Sequence, residues 1–62
     1  MSGLTLEQQR IAKLALHSGF YQHQVAAHFG INQGRISEFK NSQQFHNVEA
    51  ARDLPVGFPK GH

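Results

Sequence analysis

The stretch QHQVAAHFGINQGRISEFKN, residues 22–41, decides how the rest of this 62-residue chain is read. Val25, Ala26 and Phe29 fall at i, i+1 and i+4, one apolar face of a helix, and Ile36 and Phe39 repeat the pattern at i, i+3. The spacing predicts a helix over about 22–29 and another over about 33–41. Between them stands Gly30-Ile31-Asn32. Gly30 lies where a helix end commonly takes a left-handed backbone, which burdens other residues with a steric clash. Asn32 is placed to cap the next helix through its side-chain oxygen, so one helix ends and another begins within three residues.

Turning Ile36 and Phe39 inward at about 100° per residue sends Gly34, Ser37, Glu38 and Asn41 to the opposite face and leaves Gln33 and Arg35 on its two edges. That outward face is polar throughout. A glycine in a helix interior costs about 1 kcal/mol relative to alanine, less near an end. Gly34 therefore either lets the helix approach something closely or is tolerated at a frayed start. Arg35 carries a guanidinium able to give two parallel hydrogen bonds, Gln33 an amide that both donates and accepts, and Glu38 can accept or pair with Arg35 one turn away. The exposed ion pair is the commoner outcome.

These residues resemble the helix-turn-helix of bacterial and phage DNA-binding proteins. The resemblance rests on an apolar residue followed by a small one at Val25-Ala26, then Phe29, Gly30, Ile31, Ile36 and Phe39, and it covers about a third of the chain. It implies an all-α fold, a three-helix helix-turn-helix domain, with the third helix in the major groove and the second across the DNA backbone. Carried onto this sequence, base contact falls to Gln33, Gly34, Arg35, Ser37 and Glu38. Backbone contact falls to Tyr21, Gln22, His23, Asn32, Lys40 and Asn41, the first three at the amino end of the second helix, where free N–H groups suit a phosphate. Tyr21 could equally cover the core.

Composition is compatible with that reading and excludes others. The net charge is only +2, but Arg10, Lys13, Arg35 and Lys40 stand between residues 10 and 40 against Glu38 alone. Neutral amides are plentiful, among them Gln8, Gln9, Gln22, Gln24, Gln33, Gln43 and Gln44, and serve phosphates or base edges without adding charge. There is no cysteine, hence no disulfide and no thiol nucleophile, and the five histidines lack close ligand spacing, so no metal site is expected. No phosphate-binding glycine loop is present, and His28 with Glu49 makes a poor catalytic pair. An enzyme is not expected, nor a cofactor, nor a small-molecule ligand. No apolar leader or long apolar run appears, so a soluble, cytoplasmic, nucleoid-associated protein without membrane contact is expected.

The flanks complete the plan. Met1 to Leu4 reads as a frayed start. Thr5-Leu6-Glu7-Gln8 has the form of a capping box, predicting a first helix to about His17 whose stripe of Ile11, Leu14 and Ala15, with Leu4 or Leu6, covers the hairpin. Glu7, Gln9, Arg10 and Lys13 are expected outward or to the side. Ser18-Gly19 stops this helix and Phe20 tucks inward. Ser42-Gln43-Gln44 reads as a polar break, dividing a domain at 1–44 from an extended, proline-containing tail at 45–62. Asn47 is placed to cap one turn from Val48 to Arg52, and Pro55 and Pro59 keep the remainder extended. Phe45, Val48, Leu54, Val56 and Phe58 are too apolar for a solvated tail, so the tail either wraps back over the helices or pairs two copies. A chain this short buries only about 60% of its unfolded surface, which favours a homodimer. The function expected is sequence-specific binding of double-stranded DNA by a small transcriptional regulator, a repressor. The alternatives are a DNA-site adaptor for recombination or packaging, and a protein-interaction adaptor on the same scaffold, which would show apolar anchors on the outward face.

Overall fold

Thr5 Oγ1 accepts from the Gln8 N–H at 3.1 Å while Gln8 Oε1 accepts from the Thr5 N–H at 3.0 Å, and this reciprocal cap opens α1, Leu6–His17. The computed structural model describes residues 4–58, in which α1 is followed by α2, Gln22–Phe29, α3, Gln33–Lys40, and α4, Gln43–Asn47. The described residues form no strand, so the fold is all-α. Of the start expected to be frayed, Met1–Leu4, only Leu4 is described and it is buried in the core; Met1–Gly3, and Pro59, expected to be extended, lie outside the described residues. No helix among the described residues is long and apolar enough to cross a membrane.

The first two helices end by one device. At the end of α1, Gly19 takes φ +102°, its N–H donates to the Leu16 carbonyl and the Phe20 N–H reaches back to the Ala15 carbonyl at 3.1 Å. At the end of α2, Gly30 takes φ +68°, its N–H donates to Ala27 and the Ile31 N–H reaches back to Ala26 at 3.0 Å. Both are Schellman closures. Each satisfies two orphan carbonyls and turns an apolar residue, Phe20 or Ile31, back onto the core. Asn32 Oδ1 then accepts from the Gly34 N–H at 2.7 Å and opens α3.

The core is built where these helices meet. Val25 of α2 and Ile36 of α3 are its largest fully buried side chains, and Ala12, Ala15, Ala26, Phe39, Leu4 and Val48 complete it. Burying a Val or Ile side chain fully is worth about 1.5–3 kcal/mol. The α1 stripe is turned from its expected position. Ala15 and Leu4 are buried as that stripe requires, with Leu6 exposed, but the stripe's centre is Ala12 and Ala15, whereas Ile11 and Leu14 are only partly buried. The two alanines let the neighbouring helices pass close to the α1 backbone. The larger side chains fit on the flank.

The chain after Asn41 departs furthest from expectation. Ser42 is no break: its Oγ donates to the Phe39 carbonyl at 2.7 Å and accepts from the Phe45 N–H at 3.4 Å, closing α3 and opening α4. The turn expected from Val48 to Arg52 is not helical. Instead residues 48–58 form a strap along α1 that returns Val48, Leu54 and Phe58 to the core. Lys13 Nζ donates to the Val48 carbonyl at 2.9 Å, Arg10 Nε donates to the Glu49 carbonyl at 3.1 Å, and the Ala51 N–H donates to the Arg10 carbonyl at 3.0 Å. The strap then turns at Pro55–Phe58 and sets the Phe58 ring edge-on to Phe20 at 5.0 Å and against His28 at 4.4 Å.

Arg10 and Lys13, expected outward or to the side, are half-buried on the flank, where Arg10 holds the Glu49 carbonyl and Lys13 the Val48 carbonyl. Val48 is buried, Phe45, Leu54 and Phe58 pack against the core, and Val56 alone of the five apolar tail residues is fully exposed. The apolar surplus behind the expected dimer is thus largely absorbed within one chain.

Candidate nucleic-acid interface

Because Ile36 and Phe39 are drawn into the core, the helical repeat pushes the rest of α3 outward. Gln33, Gly34, Arg35, Glu38, Lys40 and the capping residues Asn32 and Asn41 are exposed, and Ser37 is half-buried. The side chains of Gln33, Arg35, Glu38 and Lys40 make no hydrogen bond or ion pair with any described residue. The Arg35–Glu38 pair expected from their spacing does not form. Two long side chains in water gain little from such a pair and lose rotamer freedom by making it.

Two of the expected backbone-contact residues are committed to the helix ends. Asn32 spends its side-chain oxygen on the Gly34 N–H, and Asn41 Nδ2 donates to the Ser37 carbonyl at 3.0 Å. The same cap accounts for Gly34 in a way the sequence did not suggest. A Cβ there would lie 3.2 Å from Asn32 Oδ1, tight enough that the capping amide would have to give.

The remaining candidates are divided between the two flanks of α3. On one side Gln33 and Lys40 face Tyr21, Gln22 and His23 across an open cleft of about 330 Å³ floored by Leu16 and Phe20. Tyr21 is 68% exposed and its ring stacks on His23 at 5.6 Å and 11°, so it does not cover the core. Its backbone N–H donates to Gln24 Oε1 at 2.8 Å, which fixes the amino end of α2 and leaves the phenol outside. On the other side Arg35 and Glu38 border a cleft of about 350 Å³ with Leu4, Gln9, Phe39, Ser42 and Gln44. Gln33 and Arg35, both expected to read bases, therefore occupy opposite edges of the helix.

Gln9 and Gln44, counted from the sequence among the neutral amides able to serve phosphates or base edges but given no individual contact, border the cleft beside Arg35. The available signal was Ser42 three residues ahead of Phe45, a cap-and-apolar pattern that would have placed Gln44 on a helix beside α3. The His28 ring packs on Phe29 and Phe58.

Comparison with family models, with curated proteins and with solved structures found no match to this chain.

Proposed function

We propose that this chain binds double-stranded DNA sequence-specifically in the helix-turn-helix manner and acts as a small transcriptional regulator, α3 entering the major groove. The observation that carries the reading is the outward face of α3. Its long polar side chains are exposed and unemployed by the fold, although the helix beneath is fixed by a cap at Asn32 and by two buried anchors. Arg35 and Gln33 have the donor patterns for guanine and adenine edges. Tyr21, Gln22, His23 and Lys40, gathered around one cleft, suit the adjoining sugar-phosphate strand. Repression by occupancy needs no more than this contact.

A docking helix for a protein partner would present apolar anchors in the same place. This one presents Gly34, Ser37, Glu38 and Asn41. Selection of bound duplexes from a random-sequence DNA pool at physiological salt tests the reading. A short enriched motif is the expected result. An unenriched pool would remove sequence-specific DNA binding and turn attention to a protein partner for that face.

A further inference from the structure

The two clefts make α3 a ridge with a trough on either side, of about 330 and 350 Å³. A helix with its side chains is about 10–12 Å across and the major groove is about 12 Å wide. A helix seated in that groove therefore has one sugar-phosphate strand against each flank. The Tyr21–His23 side supplies groups for one strand. The other side meets the rim formed by Gln9 and Gln44.

That rim is held by a relay. Gln44 Nε2 donates to Gln9 Oε1 at 3.1 Å, and Gln9 Nε2 donates to the Leu4 carbonyl at 3.3 Å. Two side-chain amides thereby join α4 to α1 and to the residue that leads into α1. A surface glutamine ordinarily loses rotamer freedom when it binds something, and the relay has already restricted this one. An amide nitrogen carries two hydrogens, so Gln44 keeps one N–H to give. Ser42 has no such reserve, because its hydroxyl both donates to Phe39 and accepts from Phe45.

Resting on the DNA-binding reading, we propose that Gln44, positioned by Gln9, donates to a phosphate on the strand across the groove from the one held at Tyr21–His23. A neutral donor here sets the register of Arg35, which borders the same cleft, and adds little to the salt dependence. Glu38 is the one acid bordering this cleft, and Arg35 one turn away offsets it.

The test uses the full chain and its selected duplex, remade with one phosphate at a time replaced by a neutral methylphosphonate. Gln44→Ala is expected to weaken binding roughly three- to tenfold, the range of one hydrogen bond, and equally on preferred and altered sites. The loss should vanish on one methylphosphonate duplex, with the change on the strand opposite the phosphate that His23→Ala reports. Gln9→Ala should weaken binding in the same direction and add nothing in the Gln44→Ala background, which a merely structural role would not produce. Gln44→Glu, setting a carboxylate against the phosphate, should lose more than Gln44→Ala with an unchanged circular dichroism spectrum. Unchanged affinity of Gln44→Ala, or a loss tied to no single phosphate, overturns the inference while leaving DNA binding in place. Failure of the unaltered protein to bind any duplex overturns both.

Discussion

Lys13 Nζ donates to the Val48 carbonyl at 2.9 Å and stands 5.2 Å from the centroid of the Phe45 ring, so a single α1 cation holds both α4 and the start of the strap. A residue counted from the sequence as part of a basic field is thereby engaged inside the molecule. Lys13→Met keeps the apolar stem but loses the hydrogen bond and the ring contact. We expect a loss of about 1–2 kcal/mol in urea unfolding. The dependence of DNA affinity on salt should keep its slope. A slope reduced by about one would instead make Lys13 a phosphate contact.

The packing of Phe45, Val48, Leu54 and Phe58 within the chain bears on assembly. A tail that buries its own apolar residues offers little to a second copy, and the exposed Val56 is too small a patch to join two subunits. The free protein, 6.9 kDa for the chain, is expected to sediment as a monomer at micromolar concentration. Pairing of two recognition helices would then arise on adjacent DNA half-sites. A dimer in free solution would restore the two-fold arrangement first expected and place its contact outside the packed strap.

What was legible in the sequence was legible for local reasons. Thr5 with Gln8, Gly30 and Asn32 announce helix ends through chemistry confined to a few residues, and Val25, Phe29, Ile36 and Phe39 mark core faces by period alone. The errors are of two other kinds. Ser42 has the chemistry to end one helix and begin the next, and only the position of Phe45 beneath α1 decides between that and a loop. Arg10 and Lys13 fall outward or to the side by the period of the apolar stripe. Their partners are backbone carbonyls 35 to 39 residues away, which no periodicity encodes. The α1 stripe was misjudged for a related reason, since alanines mark close helix approach only once the neighbouring helices are placed. The two-flank division of Gln33 and Arg35 followed from the helical wheel, whereas Gln9 and Gln44 became visible only when α4 brought them together.

Gly30 provides a clean test of the turn. A Cβ at this position meets nothing within 4 Å, so the cost of Gly30→Ala is that of holding φ near +68° with a side chain attached. That is about 1–2 kcal/mol. Asparagine visits this region more readily, and Gly30→Asn should fall between the two. Urea midpoints for the three proteins give the order directly. Equal midpoints would mean that the turn relaxes to another conformation without loss.

Gly34 separates two demands on one position. Alanine in the first turn of α3 gains up to about 1 kcal/mol of helix propensity, while its Cβ crowds the Asn32 cap at 3.2 Å. The opposed effects should leave the stability of Gly34→Ala within about 0.5 kcal/mol of the original. If the missing side chain also serves approach to the groove floor, DNA affinity should fall roughly tenfold, equivalent to about 1.4 kcal/mol. We expect that fall, measured by titration of the selected duplex. An unchanged affinity would assign Gly34 to the cap alone.

Arg35 and Lys40 lie on opposite edges of α3, both exposed, and neither side chain is bonded to a described residue. Replacing either with alanine should shift folding stability by no more than about 0.5 kcal/mol, so changes in DNA affinity report on the interface. Arg35→Ala is expected to lose roughly 1–3 kcal/mol on the preferred site and to relax the preference at one base pair, because a bidentate guanidinium discriminates between bases. As a proposed phosphate contact, Lys40→Ala should weaken all sequences alike and reduce the salt slope by about one. The contrast matters more than either value. A uniform loss from Arg35→Ala would make it a second phosphate contact and move base reading to the Gln33 edge, in which case Gln33→Ala would be the variant that relaxes specificity.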